Sequence, residues 1–183
     1  MRKHRLIQHA FLTCQCPDCP GGEETARKAL KIAKATGHES RLVDAWMALS
    51  EVQRMMRRFS ESEQTVRDAI EDVSQTRAEA WRVLELHRRL GDLLVARGAF
   101  EEAWEQYETA ADGWFADSTV GRAPEKERLI FESIIAFWEQ AVKAQSPIAS
   151  SEKLAEWQQR LKAWEDTQPD ITGVQKKTKS ALP

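Results

Sequence analysis

The sequence is poor in cysteine, glycine and proline, with three, eight and six of these residues among 183, and it has no long apolar run. All three cysteines lie between positions 14 and 19, so they cannot pair completely and do not form a disulfide framework. No apolar run approaches the about 20 residues that cross a bilayer, and residues 6–12 are interrupted by Gln8 and His9. We therefore expect no signal peptide, no membrane span and a cytoplasmic location.

An excess of charge of one sign is also missing, since 27 basic and 29 acidic residues leave a net charge of −2. This balance gives no global attraction to nucleic acid, and no basic stripe with stacking aromatics runs along the chain. The four histidines belong to no H-E-x-x-H motif, and the sequence has no glycine-rich phosphate loop and no nucleophile elbow. We predict a globular protein that is not an enzyme and does not bind nucleic acid.

Apolar residues recur at spacings of three and four, the period of amphipathic helices, and no segment has the alternation of a strand. The sequence therefore predicts an all-α fold of about seven helices, at residues 23–36, 40–57, 61–73, 77–97, 100–115, 125–144 and 151–165. Gly37 and Gly98 lie where a left-handed residue would end the preceding helix. Pro124 suits a first helical turn, and Pro147 is expected in a loop after a helix.

Two segments have the spacing of a capping box, in which a hydroxyl and a carboxylate satisfy free amide groups at a helix start. Ser60 is followed by Glu63, and Thr76 is followed by Glu79. We expect a helix to begin at each of them.

An internal repeat emerges when the segment around Phe59 is shifted by 41 residues onto the segment around Phe100. Small residues then meet small ones and large apolar residues meet large ones, as in the pairs Leu49 and Leu90, Ser50 and Gly91, Val66 and Tyr107, and Ala69 and Ala110. Antiparallel helices approach closely where small residues lie at their crossing. The first copy is degenerate, because it has Gln53, Arg57 and Ser62 where the second has Leu94, Gly98 and Ala103.

The second copy resembles the tetratricopeptide repeat (TPR) family in Leu90-Gly91-Asp92-Leu93-Leu94, Gly98-Ala99-Phe100-Glu101-Glu102-Ala103, Tyr107 and Ala110. Residues 29–38 and 45–49 look like the long-period version of this repeat, which occurs in proteins similar to kinesin light chains, spindle-orientation adaptors and bacterial peptide-sensing regulators. The period exceeds the usual length of about 34 residues by close to two helical turns, which preserves the packing phase. The resemblance covers about residues 23–115 and implies a right-handed α-α superhelix of TPR-like helical hairpins, ended by a capping pair of helices.

These patterns divide the chain into three regions. Residues 1–22 form a cysteine-containing N-terminal segment, and residues 23–166 form the TPR-like helical domain. Residues 167–183 are polar and include Lys176, Lys177 and Lys179, so we expect a disordered tail.

In the family that the repeat resembles, the first helix of each pair lines a concave groove that binds a peptide or helix of a partner protein. Matching the repeats carries this role onto Asp44, Met47, Glu51, Arg54, Trp81, Glu85, Arg88 and Asp92. Arginines in such a groove favour acidic segments, and an ordinary solvated helix face is the alternative. The resemblance thus implies a protein–protein interaction module that acts as an adaptor or as an assembly or regulatory factor.

Seven tryptophans are many for this length. Large aromatic side chains either fill the spaces between stacked helices or anchor a partner at an interface. The helix predicted at 125–144 is apolar on more than one face, so it must be buried on two sides. Its second side packs either on the final helix or in a homodimer or partner interface, which would comprise Phe131, Ile135, Trp138, Trp157 and Trp164.

The cysteines Cys14, Cys16 and Cys19 form a C-x-C-x-x-C pattern, and His9 or His4 nearby is a candidate fourth ligand. Thiolates and imidazole at this spacing could hold zinc, which takes four tetrahedral ligands, or the thiols are unbound in a loosely packed N-terminus. A metal-binding or metal-responsive protein that uses this segment is therefore the alternative to the interaction module, which needs no cofactor.

Overall fold

The computed structural model describes residues 20–76, 80–116 and 124–168, and in these ranges the chain is all-α, with no strand. Its helices are α1 (Pro20–Thr36), α2 (Glu39–Met55), α3 (Phe59–Ser74), α4 (Ala80–Arg97), α5 (Phe100–Ala116), α6 (Pro124–Lys143) and α7 (Ser151–Thr167). The all-α prediction is confirmed, and every predicted helix is present. Among the described helices, none combines the length and the apolar character required to cross a lipid bilayer.

Consecutive helices pack against each other from α1 to α5, and α7 packs on α6. Helix α6 also contacts both α4 and α5, so it continues the array rather than standing apart. Alanines with almost no exposed surface lie at the helix crossings, and they allow the close approach that the repeat pattern predicts, as at Ala26, Ala45, Ala69, Ala103 and Ala110. The core is therefore continuous from α1 to α7.

The turns after α1, α2 and α4 each contain one residue in the left-handed region. Gly37 has φ of 62° and Gly98 has φ of 80°, which confirms both predicted helix ends. Arg57, which the repeat aligns with Gly98, adopts the same conformation with φ of 59°. The next amide also makes the same hydrogen bond, since Arg58 N–H donates to the Gln53 carbonyl and Ala99 N–H donates to the Leu94 carbonyl, both at 2.9 Å.

The predicted capping box at Ser60 and Glu63 is wrong. Helix α3 begins two residues after Arg57, its N-cap residue is Arg58, and no side chain caps it. Glu63 instead pairs with Arg67 at 3.0 Å and with Arg97 at 3.3 Å, so two cations hold its carboxylate away from the helix start. The second predicted box includes Glu79, which lies outside the described residues.

The degenerate first copy compensates for its polar substitutions by hydrogen bonding between α2 and α3. Ser62 Oγ donates to the Ser50 carbonyl at 2.8 Å, and the two hydroxyls lie 2.9 Å apart. Thr65 Oγ1 donates to Gln53 Oε1 at 2.7 Å. All four side chains are buried, and hydrogen bonding removes most of the cost of burying them.

Aromatic packing takes over in the last three helices. Trp104 of α5 lies 4.9 Å from Trp138 of α6 and 6.5 Å from Trp157 of α7, measured between ring centroids. Phe131 lies 6.0 Å from Trp157, and Trp164 Nε1 donates to Glu127 at 2.5 Å. These contacts fix α7 on α6 and close the end of the array.

Candidate functional site

Helices α2, α4 and α6 line one face of the described chain, where two clefts meet. The first cleft has a volume of about 310 Å³, lies between α2 and α4, and is lined by Ser50, Glu51, Arg54, Phe59, Arg88, Arg89, Asp92, Leu93 and Ala96. The second has a volume of about 420 Å³, lies between α4 and α6, and is lined by Asp92, Val95, Ala96, Tyr107, Glu132, Ser133, Ala136, Phe137 and Gln140. Both clefts share Asp92 and Ala96, so together they form one surface, which we call the α2–α4–α6 groove.

Four of the eight residues predicted to line a groove do line this one: Glu51, Arg54, Arg88 and Asp92. Glu85 lies one turn before Arg88 on α4, and its carboxylate holds the Arg88 guanidinium at 2.8 Å.

The other three lie nearer the beginning of α2 and α4, outside the two clefts. Asp44 pairs with Arg82 at 2.9 Å and so joins α2 to α4. Met47 is half-buried and packs against the core. Trp81 faces α6, where Lys126 Nζ lies 3.0 Å from the centre of its ring.

Arg88 is the central charge of the groove, and its side chain is only 9% exposed. Its guanidinium donates to Glu85 at 2.9 and 2.8 Å, to Asp92 at 2.8 Å and to Ser133 of α6 at 3.2 Å. Asp92 also accepts a 2.6 Å hydrogen bond from the Tyr107 hydroxyl. A buried charge needs such pairing, so this network fixes the junction between the two clefts.

The electrostatics of these groups follow from burial and pairing together. Burial opposes ionisation of Glu85, but Arg88 and Arg89 outweigh it and hold the pKa of Glu85 below its usual value. The hydrogen bond from Arg54 lowers the pKa of Glu51. Burial and the negative charge of Asp92 both raise the pKa of the Tyr107 hydroxyl, which therefore stays protonated and donates to Asp92.

Sequence reasoning missed the α6 side of the groove, because α6 lacks the repeat pattern from which the other helices were aligned. Ser133 and Glu132 lie one helical turn before Ala136 on α6, and all three line the second cleft. Phe59 was also missed. Its aligned residue Phe100 packs 6.2 Å from Phe137, whereas Phe59 remains 43% exposed at the edge of the first cleft.

The five residues of the predicted second interface lie on α6 and α7. Phe131, Trp138 and Trp157 are buried within the chain, each no more than 5% exposed. Ile135 and Trp164 are half-buried and pack against the same core. The structure therefore uses this set to hold α5, α6 and α7 together, which is the core-filling alternative.

The cysteine pattern cannot be placed. Cys14, Cys16, Cys19 and His9 lie outside the described residues. Within the described ranges, no group of three or more potential ligands is arranged to hold a metal ion.

No protein-family model matches this chain, and no curated protein sequence matches it. Among solved structures, the crystal structure of BtubC (BKLC) from P. vanneervenii is similar over 81% of this chain, with a TM-score of 0.59 and 20% sequence identity. The match covers 58% of the BtubC chain, so this chain spans less than two-thirds of that protein's length. At this identity the likeness shows a common fold and does not show that the two proteins share an activity or a partner.

Proposed function

We propose that this chain is a non-enzymatic, TPR-like protein–protein interaction module that binds a peptide or helix of a partner in the α2–α4–α6 groove. The observation that carries this proposal is the continuity of the groove across three helices, with Asp92 and Ala96 common to both clefts. Stacked helical hairpins of a right-handed superhelix would present their first helices in this way. An adaptor or an assembly factor would use such a surface without catalysis.

The chemistry of the groove suits protein recognition. It combines an exposed aromatic edge at Phe59 with exposed charges at Arg54 and Glu132 and small side chains at Ala96 and Ala136. The buried Arg88 network joins α4 to Ser133 of α6 and so fixes the helices that line the groove before a partner arrives, and preorganisation reduces the entropy lost on binding.

A site-specific photo-crosslinking experiment tests the proposal. A photoreactive amino acid is introduced at Ala96, inside the groove, and in a matched variant at Lys31, which lies on the exposed face of α1. The full chain is then irradiated in native extract. We expect one stoichiometric partner to crosslink from position 96, not from position 31, and to be lost when Arg54→Glu and Arg89→Glu are added.

Circular dichroism checks that the charge-reversal variant keeps its helices. A partner that is captured equally well by the folded charge-reversal variant would refute the groove as the binding site.

The zinc hypothesis for Cys14, Cys16, Cys19 and His9 stays a prediction from the sequence. Metal analysis of anaerobically purified protein, with Cys→Ser variants as controls, tests it separately from the groove.

A further inference from the structure

The two clefts of the groove differ in charge. The first is lined by three arginines, Arg54, Arg88 and Arg89, against two carboxylates, Glu51 and Asp92. The second is lined by the carboxylates of Asp92 and Glu132, and none of its lining residues is basic. Arg88 and Asp92 pair with each other at 2.8 Å where the clefts meet. The difference in charge therefore lies at the outer ends of the groove.

At the basic end, Arg54 and Arg89 retain capacity for a ligand. The Arg54 side chain is 51% exposed, and it hydrogen-bonds to Glu51 within its own helix. The Arg89 side chain is 25% exposed, and it pairs with Glu51 at 3.7 Å and with Glu85 at 3.4 Å, both longer than a normal hydrogen bond. Arginine offers five donors in a fixed fork, and Glu51 occupies Nε and Nη2 of Arg54, so a carboxylate placed beside Glu51 would use the remaining Nη donors of Arg54 and Arg89.

At the acidic end, Glu132 is the exposed charge. Its side chain is half exposed, and Arg128, one helical turn earlier on α6, donates to one of its oxygens at 2.8 Å. The second cleft also presents the short side chains of Ser133 and Ala136 beside Ala96 of α4. Short side chains leave room for a long basic side chain to lie along the cleft with its charged end near Glu132.

We propose that the partner segment is dipolar: it places an acidic side chain between Arg54 and Arg89 and a basic side chain in the second cleft, near Glu132. Packed helices lie about 8–10 Å apart, and the acidic side chain lies between α2 and α4 while the basic one reaches α6, so the path between them covers about 12–15 Å. An extended peptide spans this distance in about four to five residues. The acidic and basic residues are therefore separated by that interval, with small residues between them over Ala96. This inference rests on the proposed function of the same groove.

Selection from a displayed library of random peptides on the immobilised full chain tests it. The enriched peptides are synthesised, and their affinities for the chain are measured by fluorescence anisotropy. We expect them to share an acidic and a basic residue at the inferred spacing. Arg54→Glu with Arg89→Glu should weaken binding about tenfold or more, and so should Glu132→Lys, because each places like charges together.

Exchanging the acidic residue of the peptide for lysine should restore binding to the Arg54→Glu, Arg89→Glu chain. The matched controls Lys31→Glu on α1 and Glu108→Lys on α5 reverse exposed charges outside the groove and should leave affinity unchanged.

The outcomes separate this inference from the function on which it rests. Peptides that lose affinity with the groove variants but share no acid–base pair overturn the dipolar partner and leave the proposed function standing. Peptides that bind all variants alike, or a library that yields no binder, overturn both. A dimer in analytical ultracentrifugation that Ala96→Trp dissociates would mean that a second copy of this chain fills the groove, and it would also overturn the inference.

Discussion

Arg57 occupies the left-handed position in the α2–α3 turn that Gly98 occupies in the α4–α5 turn, 41 residues later in the chain. Both turns close with the same pair of backbone hydrogen bonds, from the left-handed residue and from the residue after it. A side chain in this conformation brings its Cβ close to the neighbouring carbonyl oxygen, whereas glycine has no Cβ. The two turns therefore share one geometry at different energetic cost.

Replacing the strained residue should stabilise the protein. Arg57→Gly is expected to raise the free energy of unfolding by about 0.5–1 kcal/mol, because the relieved strain exceeds the extra flexibility of glycine in the unfolded chain. Urea unfolding followed by circular dichroism measures this change. Arg57→Ala is the control. It removes the guanidinium and the chain beyond Cβ but keeps the Cβ itself, so it should not raise the free energy of unfolding. Equal gains from both variants would contradict the strain argument.

Gly91 and Tyr107 should be energetically coupled, because a Cβ at position 91 would lie 2.9 Å from two ring atoms of Tyr107. Tyr107 cannot move freely, since it donates to Asp92 and its ring packs 5.3 Å from Phe137. Gly91→Ala is therefore expected to lower the free energy of unfolding by about 1–3 kcal/mol.

In the first copy the residues aligned with Gly91 and Tyr107 are Ser50 and Val66, so a smaller side chain at position 107 should relieve the crowding that Gly91→Ala creates. Gly91→Ala combined with Tyr107→Val should cost less than the sum of the two single changes in a double-mutant cycle. Additive costs would show that the close approach of ring and backbone is not what requires glycine.

The buried hydrogen bond between Thr65 and Gln53 should respond differently to single and paired changes. Gln53→Leu introduces the residue found at the aligned position 94, and it leaves the Thr65 hydroxyl without its acceptor. We expect a loss of about 1–3 kcal/mol in the free energy of unfolding for this single change. Gln53→Leu with Thr65→Val removes both polar groups and should be close to neutral. Chemical denaturation of the unchanged chain, the two single variants and the double variant measures these differences in the free energy of unfolding.

The free energy of unfolding should fall in acid, because the Glu85 carboxylate then loses its ion pairs. The folded-state pKa of Glu85 lies below its usual value, because Arg88 and Arg89 outweigh its burial. The stabilisation is therefore complete above the unfolded-state pKa and is lost as the pH falls below about 5 and through the lowered pKa. Glu85→Gln should show a smaller drop in the free energy of unfolding between neutral and acidic pH. Glu108→Gln, an exposed change on α5, should retain the drop of the natural chain.

Helix positions could be predicted from the sequence because they depend on local periodicity and turn chemistry. Gly37, Gly98 and Pro124 marked helix limits correctly. The capping box at Ser60 failed, because helix α3 begins at Phe59 and places Ser60 inside its first turn, while Glu63 pairs with Arg97 of another helix. Local spacing contains no information about such a distant partner.

The candidate groove could be predicted only where the repeat alignment reached. Glu51, Arg54, Arg88 and Asp92 were found through that alignment, whereas Glu132 on α6 was not. Nor could spacing show that Gln53 and Ser62 would find buried partners, since each partner lies in a neighbouring helix. The features that could not be predicted are those that depend on contacts between helices rather than on the residue pattern within one helix.

The clustering of aromatic rings in α5, α6 and α7 makes the protein's intrinsic fluorescence uneven along the chain. Trp104, Trp138, Trp157 and Trp164 belong to this cluster, while Trp46 lies apart and donates to Asp72 at 2.9 Å. An emission spectrum therefore reports mainly on the C-terminal end of the array, whereas far-ultraviolet circular dichroism weights every helix by its length. If the two optical signals change at different urea concentrations, the two ends of the array unfold as separate cooperative units.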